Sequence, residues 1–549
     1  MSDTAAYDGT DKEKGQPTVE AEEESSIYGG RPKCFSNTLQ ECLFVLTATM
    51  AIGQSSMFQG AVVGVTASIG RDLNMNSAEI TWISSGSALS SGAFLLTFGK
   101  LADMFGRKSM FTAGMAGFTL SLLIAGFANN AIYMDVFSGV MGLFSAAVVP
   151  PAVGILGAVY EKPSKRKNLA FACFSAGNPL GFVAGIIISG VADHLYNWRA
   201  SLWTLAVIYA IFTVFTIWTV PPDGHGRLPL TWRSFKKFDL LGTFLVITGI
   251  ACFSSALTLA GDAPDGWRTG YVIALLIIGI FLMGFFLYWE SLCSFPLMPL
   301  YVWRNREFSL LMLIFCLGYM GFASVTFWLS LYMQELKHLS AILVAVQLLP
   351  MVVSGTLVNV VCGFVLHKVS NKLLMAIGAL GYTAALLILS FLKEDAPYWA
   401  FIFPGLILVV VGADIEFNVV NMYVMSSLPS SEQSVAGGIF NTISKLCNNI
   451  SLGISTAVYN AVRAQQSDIS IRPYLATFWF GAAISGISIF LVPFLRLGTQ
   501  GGKGSDHRPV EKSSSEKMNT EEKAREVISR SDESSLSRQG ETTLVGTEK

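Results

Sequence analysis

The stretch "GKLADMFGRK", Gly99–Lys108, decides how this chain is read. It packs Lys100, Asp103, Arg107 and Lys108 into ten residues, between two mostly apolar runs at 78–99 and 109–128. A helix needs about 20 apolar residues to cross the hydrocarbon core of a bilayer, and both runs reach that length. Working outward, the same pattern recurs. Fourteen runs are candidate spans, centred near 40–64, 78–99, 109–128, 132–158, 168–191, 200–220, 238–260, 270–289, 309–333, 340–366, 373–392, 399–427, 433–460 and 475–496. Hydrophobic residues make up 52 % of the 549-residue chain and charged ones 14 %, against about 25 % charged in a soluble domain. The ~10-residue alternating segments of a membrane barrel are absent. The fold expected is all-α, with 14 transmembrane helices.

Lys and Arg in the loops set the orientation. Even-numbered connections carry fifteen of them and odd-numbered connections seven. The even loops, the Gly99–Lys108 loop included, are therefore expected on the cytosolic side, with both termini. Residues 1–38 and 497–549 are polar and too poor in apolar residues to bury a core, so both tails are expected to be disordered and cytosolic. The net charge of −1 gives no reason to expect a nucleic-acid partner. The eight cysteines are scattered without a CxxC pair, and the five histidines lack metal spacing. No nucleotide-binding loop appears. No metal or cofactor is expected, and the chain does not read as an enzyme.

Orientation alone would account for the cations of "GKLADMFGRK" but not for its acid or its glycines. Gly99 and Gly106 permit close helix approach and a tight turn. Asp103 lies four residues before Arg107, within helical pairing reach, and an acid here can face the positive end of a neighbouring helix. Contacts of that kind form in one packing of a bundle and break in another, so Gly99, Asp103, Gly106, Arg107 and Lys108 read as a conformational latch. A weaker echo, "GFVLHKVSNK" (Gly363–Lys372), keeps the glycine and the cations but has His367 near the place of the acid. Two such loops, eight spans apart, imply two six-span repeats. The expected organisation is a six-helix bundle over 39–220, a linker with two inserted helices over 221–300, and a second six-helix bundle over 301–496.

The loop resembles the signature loop of the major facilitator superfamily. The resemblance implies parallel repeats with a substrate site near the midplane between the halves. In span 5, "AGNPLGFVAGIIISG" sets Gly177, Gly181 and Gly185 on one face, with Pro179 removing a backbone donor. Small-xxx-small packing is one reading of that stripe. With Pro179 it also resembles the motif of the antiporter branch, where it is thought to limit leak. "NWRASLW" (Asn197–Trp203) is similar to the fourteen-span drug:proton antiporters. "GADIEFNVVNMYVMSSLP" (Gly412–Pro429) and "GGIFNTISKLCNNISLGIS" (Gly437–Ser455) are similar to fungal members. Those include aminotriazole-resistance and boron-efflux exporters and a low-affinity ammonium transporter. One departure stands out. Where that family usually places a span-4 arginine linked to proton transfer, this chain has Ser138.

An ionisable side chain within the bilayer costs about 2.5–3.5 kcal/mol even on insertion scales, so buried charges are informative. Asp414 lies 13 residues before Ser427, and Lys445 lies 12 residues after Gln433. At about 1.5 Å per residue they reach similar depth on consecutive helices, and a pair is expected. Asn418 and Asn421 share a face with Asp414, and Asn441, Asn448 and Asn449 share one with Lys445. Glu416 points about 200° away from Asp414, so one acid alone is expected to meet Lys445. Such a pair either fixes helix packing or switches on protonation. Gln54 and Gln59 in span 1, and Tyr319 and Phe322 in span 9, lie on helices that face the central cavity in the family. Glu290, Glu335, Asp135 and Asp193 sit near span ends and are expected to be solvated.

The function expected is secondary active transport by alternating access. Proton-coupled efflux of small toxic compounds, drugs or secondary metabolites comes first, with protons as the coupling ion and a small-molecule substrate. Import or uniport of a nutrient such as ammonium is the alternative. A non-transporting receptor is a third reading, against which the span-5 motif and the buried charges argue. A monomer in the plasma membrane is expected, the vacuolar membrane being the alternative site.

Overall fold

The computed structural model describes residues 31–498, apart from 76, 161–163, 223–230, 232–237, 261–262, 264, 294, 340, 367 and 466–469. The expectations for residues 1–30 and 499–549, for His367, and for the loop cations Lys162, Arg227, Arg233, Lys236 and Lys237 lie outside the described residues. The described residues contain helix and no strand.

Among the described residues, fourteen helices of 19 residues or more follow in order: α1 Thr38–Asp72, α2 Ser77–Phe105, α3 Arg107–Ala125, α4 Ala131–Val159, α5 Lys165–Leu195, α6 Trp198–Thr219, α7 Leu240–Leu259, α8 Gly270–Leu292, α9 Arg306–Glu335, α10 Ala341–Val365, α11 Asn371–Ser390, α12 Tyr398–Ser427, α13 Gln433–Arg463 and α14 Arg472–Leu491. Eleven are long and apolar enough to cross a membrane; α1, α2 and α13 fall below that measure. Those three carry Gln, Ser, Asn and Lys along faces that pack against other helices or border the space between them.

Several helices start where a polar side chain can satisfy the first free backbone N–H groups. Asn37 accepts from Gln40 N, Asn130 from Tyr133 N, Ser164 from Lys167 N, Asn197 from Ala200 N and Asp239 from Gly242 N. The "NWRASLW" segment is thus a helix start that also anchors α6. Trp198 Nε1 and Arg199 Nη1 both donate to Asp72 at the tip of α1, at 3.0 and 2.6 Å.

Helix pairing repeats with an offset of eight. α1 packs on α5 and α6, α2 on α4, and α3 on α4 and α6; α9 packs on α13 and α14, α10 on α12, and α11 on α12 and α14. The two groups meet where α5 packs on α10 and α12, and where α13 packs on α2 and α4. α7 and α8 pack on each other, and α7 lies against α2 and α13. Asn449 Nδ2 donates to Ser254 Oγ of α7 at 2.7 Å.

Burial along α13 changes from one end to the other. Every residue from Gln433 to Phe440 is buried, whereas Asn441, Lys445, Asn448 and Asn449 are half-buried. The two groups therefore close on each other at the end that carries the α2–α3 turn, called the Asp103 end below.

Candidate functional site

The α2–α3 turn holds one half of the site. Gly106 has φ +117°, a region that a side chain rarely tolerates. This lets α3 begin immediately after α2 ends. Arg107 then folds back, its Nε 2.7 Å from Asp103 Oδ1. Its other nitrogens donate to Gly154 O of α4 at 3.2 Å and to Ser430 O just ahead of α13 at 2.6 Å. Asp103 also accepts from the backbone N–H groups of Ser434 (3.2 Å) and Val435 (2.9 Å) in the first turn of α13. The carboxylate thus faces a guanidinium and the positive end of a helix at once. Both side chains are under 10 % exposed. Gly99 belongs to the same contact, since a Cβ there would lie 2.7 Å from Ser434 O. Lys108 Nζ reaches Ile217 O (2.9 Å) and Val220 O (2.6 Å) at the end of α6. Gly99, Asp103 and Arg107 thus contact α13 or the residues just ahead of it, Gly106 forms the turn, and Lys108 is directed to α6 of its own group.

Deeper in the molecule, polar side chains cross from α5 to α10 and α12. Ser175 Oγ donates to Asn418 Oδ1 at 3.0 Å, and Asn418 Nδ2 donates to Asn359 Oδ1 at 2.7 Å. Asn359 Nδ2 donates in turn to Gly355 O at 2.9 Å. Asp414 sits beside this chain. A Cβ on Gly355 would lie 2.8 Å from Asp414 Oδ2 and 3.7 Å from Pro179 Cγ. Gly355 therefore brings the acid of α12 close to the proline of α5. Asp414 Oδ2 is buried with no hydrogen-bond partner.

The expected pair between Lys445 and an acid of α12 is not made. Ion pairs are made elsewhere, by Asp103 with Arg107, Glu41 with Arg166 and Asp72 with Arg199. Lys445 instead lays its stem against α2, where a Cβ on Gly92 would lie 3.5 Å from Lys445 Cβ. The depth estimate ignored direction: Asp414 faces α10, and Lys445 faces α2. Glu416 is fully buried on the far side of α12. Its Cγ and Oε2 lie where Cβ atoms on Gly378 and Gly318 would come within 2.5 and 2.8 Å, and neither carboxylate oxygen has a partner. It belongs to the interior of the second helix group, between α9 and α11.

The glycines of α5 face α1. A Cβ on Gly181 would lie 2.6 Å from Gly53 O, and one on Gly53 would lie 2.7 Å from Gly177 O. Gly177 and Gly185 abut the backbone of Thr49 and Met57. Gln54 is fully buried with both amide atoms unpartnered, and Ser138 is fully buried with an unpartnered hydroxyl. Gln59 is half-buried. Asn441 Nδ2 bonds within its own helix to Gly437 O. Tyr319 and Phe322 are half-buried in a column of rings: Phe417 on Phe440, Phe440 on Phe315, Phe315 on Tyr319 and Tyr319 on Phe322, with centroids 4.8, 5.1, 5.3 and 5.7 Å apart. Three of the four end-of-span acids are held rather than simply solvated, and the fourth, Asp135, is half-buried with Oδ1 unpartnered. Glu290 is buried and accepts from Leu297 N and Met298 N, Glu335 accepts from Tyr474 OH, and Asp193 accepts from Ser68 OH.

Sequence reasoning missed Ser175, Gly355, Asn359, Phe315, Phe417 and Phe440. Asn359 carried the readable signal, an amide inside an apolar run.

The Major Facilitator Superfamily profile matches residues 44–452. The chain belongs to that superfamily. It is a multi-pass membrane transporter, a class whose members carry small molecules. It is 27 % identical over 422 residues to the low affinity ammonium transporter of Saccharomyces cerevisiae, covering 76 % of this chain and 80 % of that one. It is 26 % identical over 471 residues to efflux pump terJ of Aspergillus terreus, covering 85 % and 89 %. Among solved structures, the proton:xylose symporter XylE aligns with TM-score 0.59 at 14 % identity, covering 85 % of this chain and 98 % of that one. That likeness shows the superfamily fold.

Proposed function

We propose that this superfamily member is a proton-coupled exporter of small toxic compounds or metabolites. In this reading all fourteen helices span the membrane and both termini are cytosolic. The two bundles are 39–220 and 301–496, the protein is a monomer, and it resides in the plasma membrane. The turn at Asp103 holds the cytosolic side shut in one state. Asp414 is the proton-binding group, placed where α5, α10 and α12 meet. Lys445 is the cation that takes up the negative charge, directly or through cargo, in the other state. The observation that carries this reading is the unpartnered Asp414 oxygen beside Pro179 and the Ser175–Asn418–Asn359 chain, together with an unpaired Lys445. A charge removed from water without an opposite charge beside it is costly, and neither Asp414 nor Lys445 has one within ion-pair reach, so both groups favour a second arrangement in which charge is compensated. A proton moving down the membrane potential supplies about 2.3 kcal/mol per 100 mV, enough to drive export against a gradient.

The test is transport in vesicles containing the full chain, with aminotriazole as cargo and an imposed pH difference. Accumulation should follow the gradient in wild type and be lost in Asp414→Asn, with the variant still inserted and monodisperse. Equal accumulation with and without the gradient overturns coupling. Ammonium transport is the second reading, favoured by the 27 % identical yeast transporter. Cells lacking the gene separate the two readings: sensitivity to toxic compounds indicates export, and poor growth on limiting ammonium indicates uptake.

A further inference from the structure

A cavity of about 610 Å³ opens sideways between α1, α5 and α10 on the Asp103 half of the molecule. Its two long walls are helical stripes. On α1 they run Thr38, Glu41, Cys42, Val45, Leu46, Thr49, and on α5 they run from Arg166 through Leu169 and Cys173 to Leu180, the i, i+3, i+4 spacing of one helix face. Val360 of α10 supplies a third wall from the other helix group. The lining is almost wholly apolar except at one end. Leu46, Leu169, Leu180 and Val360 are 41–47 % exposed, and Cys42 and Cys173 are exposed too. The groove therefore opens toward the bilayer.

The polar end carries charge. Arg166 Nη1 lies 2.7 Å from Glu41 Oε2, and Glu41 Oε1 accepts from Tyr160 OH at 2.9 Å. The Arg166 side chain is 37 % exposed and that of Glu41 10 %, so the cation is the partner that faces outward. Arg166 lies in the first turn of α5, so the positive end of that helix is at the same end of the groove. From Arg166 to Leu180 is 14 residues, about 21 Å along a helix. One leaflet offers about 15 Å of hydrocarbon, and the remainder reaches headgroup depth.

We propose that this groove binds one anionic phospholipid from the leaflet on the Asp103 side, cytosolic in the orientation proposed above. The phosphate lies at Arg166, and one acyl chain lies along Leu169, Cys173 and Leu180. An apolar slot of leaflet depth ending at a cation fits that chemistry and no water-soluble ligand. Because α1 and α5 form two walls and α10 the third, the lipid touches both helix groups and favours the arrangement closed at this end. Binding does not depend on whether the transported species is a drug or ammonium, nor on proton coupling.

The test is native mass spectrometry of the purified full chain equilibrated with mixed phosphatidylserine and phosphatidylcholine. Wild type should retain one phosphatidylserine in preference to phosphatidylcholine. Arg166→Gln should lower that preference about fivefold, the effect of one basic residue near an anionic surface. Glu41→Gln should keep or raise it, since it removes the competing carboxylate. Cys173→Trp, which fills the slot without touching a charge, should abolish retention while the protein stays monodisperse. Equal retention of both lipids by wild type overturns the proposal. So do equal losses in Arg166→Gln and Glu41→Gln, which would make the pair a strut between α1 and α5, and so does undiminished preference in Cys173→Trp.

Discussion

Asp103, Asp414, Glu416 and Asp72 are four carboxylates with four different surroundings, set apart by both partners and burial. Asp103 has a guanidinium and two backbone amides. Asp414 has an unpartnered oxygen at a junction of three helices, and Glu416 has two unpartnered oxygens inside one helix group. Asp72 lies at the end of α1, eight residues beyond the apolar run at 40–64, where Trp198 and Arg199 hold its carboxyl below the ordinary carboxylate range. A depressed carboxyl contributes stability that is full above its unfolded pKa, about 3.9, and is lost as pH falls through the lower folded value. The melting temperature of wild type should therefore exceed that of Asp72→Asn at neutral pH, and the gap should narrow as the pH drops below about 4. A gap that widens on acidification would contradict the assignment. The acids were visible in the sequence. Their directions were not, because depth along a helix says nothing of which neighbour the face meets, and the Asp414–Lys445 pair failed for that reason.

Among the elements, α5 and α13 carry the most information per residue. The glycine stripe of α5 was readable as close packing or as an antiporter motif, and its contacts are with the backbone of α1. Pro179, between Gly177 and Gly181, points instead toward α10 and Asp414. One helix thus uses its glycines for its own group and its proline at the boundary. Gly181→Val should force α1 and α5 apart, because even a Cβ would stand 2.6 Å from Gly53 O. Overpacking of that kind costs about 1–3 kcal/mol, visible as a lowered melting temperature in detergent. An unchanged melting temperature would mean that the helix pair adjusts freely. α13 was the least apolar of the expected spans, and its polarity is explained by its neighbours: α2 on one side, α7 on another. The contact with α7 could not be read from the chain, since nothing in the sequence says where inserted helices dock.

For the whole molecule, fourteen long helices were legible as mostly apolar runs, although α1, α2 and α13 are less apolar than the other eleven; their pairing repeats with an offset of eight helices. The state of closure was not legible, because one sequence serves every state of a transporter. The Asp103 and Arg107 contacts join the two groups in the arrangement seen here. Hydrogen bonds to charged groups are worth about 1.5–3 kcal/mol, and about 1.4 kcal/mol is a tenfold change in population. Asp103→Asn should therefore shift the balance at least tenfold toward opening at this end. Spin labels at the exposed positions Ser109 and Ser431 would read it as a longer distance population. An unaltered distance distribution would show that the turn does not govern closure.

The partners of Asp103 on α13 are main-chain amides, and this has a bearing on how the protein can vary over generations. No change of side chain at Ser434 or Val435, short of proline, can delete an N–H group. The Ser434 hydroxyl makes no hydrogen bond of its own. Inherited variation that loosens this fastening must therefore arise almost entirely on the α2–α3 side, while the receiving helix is free to drift within the limits of size.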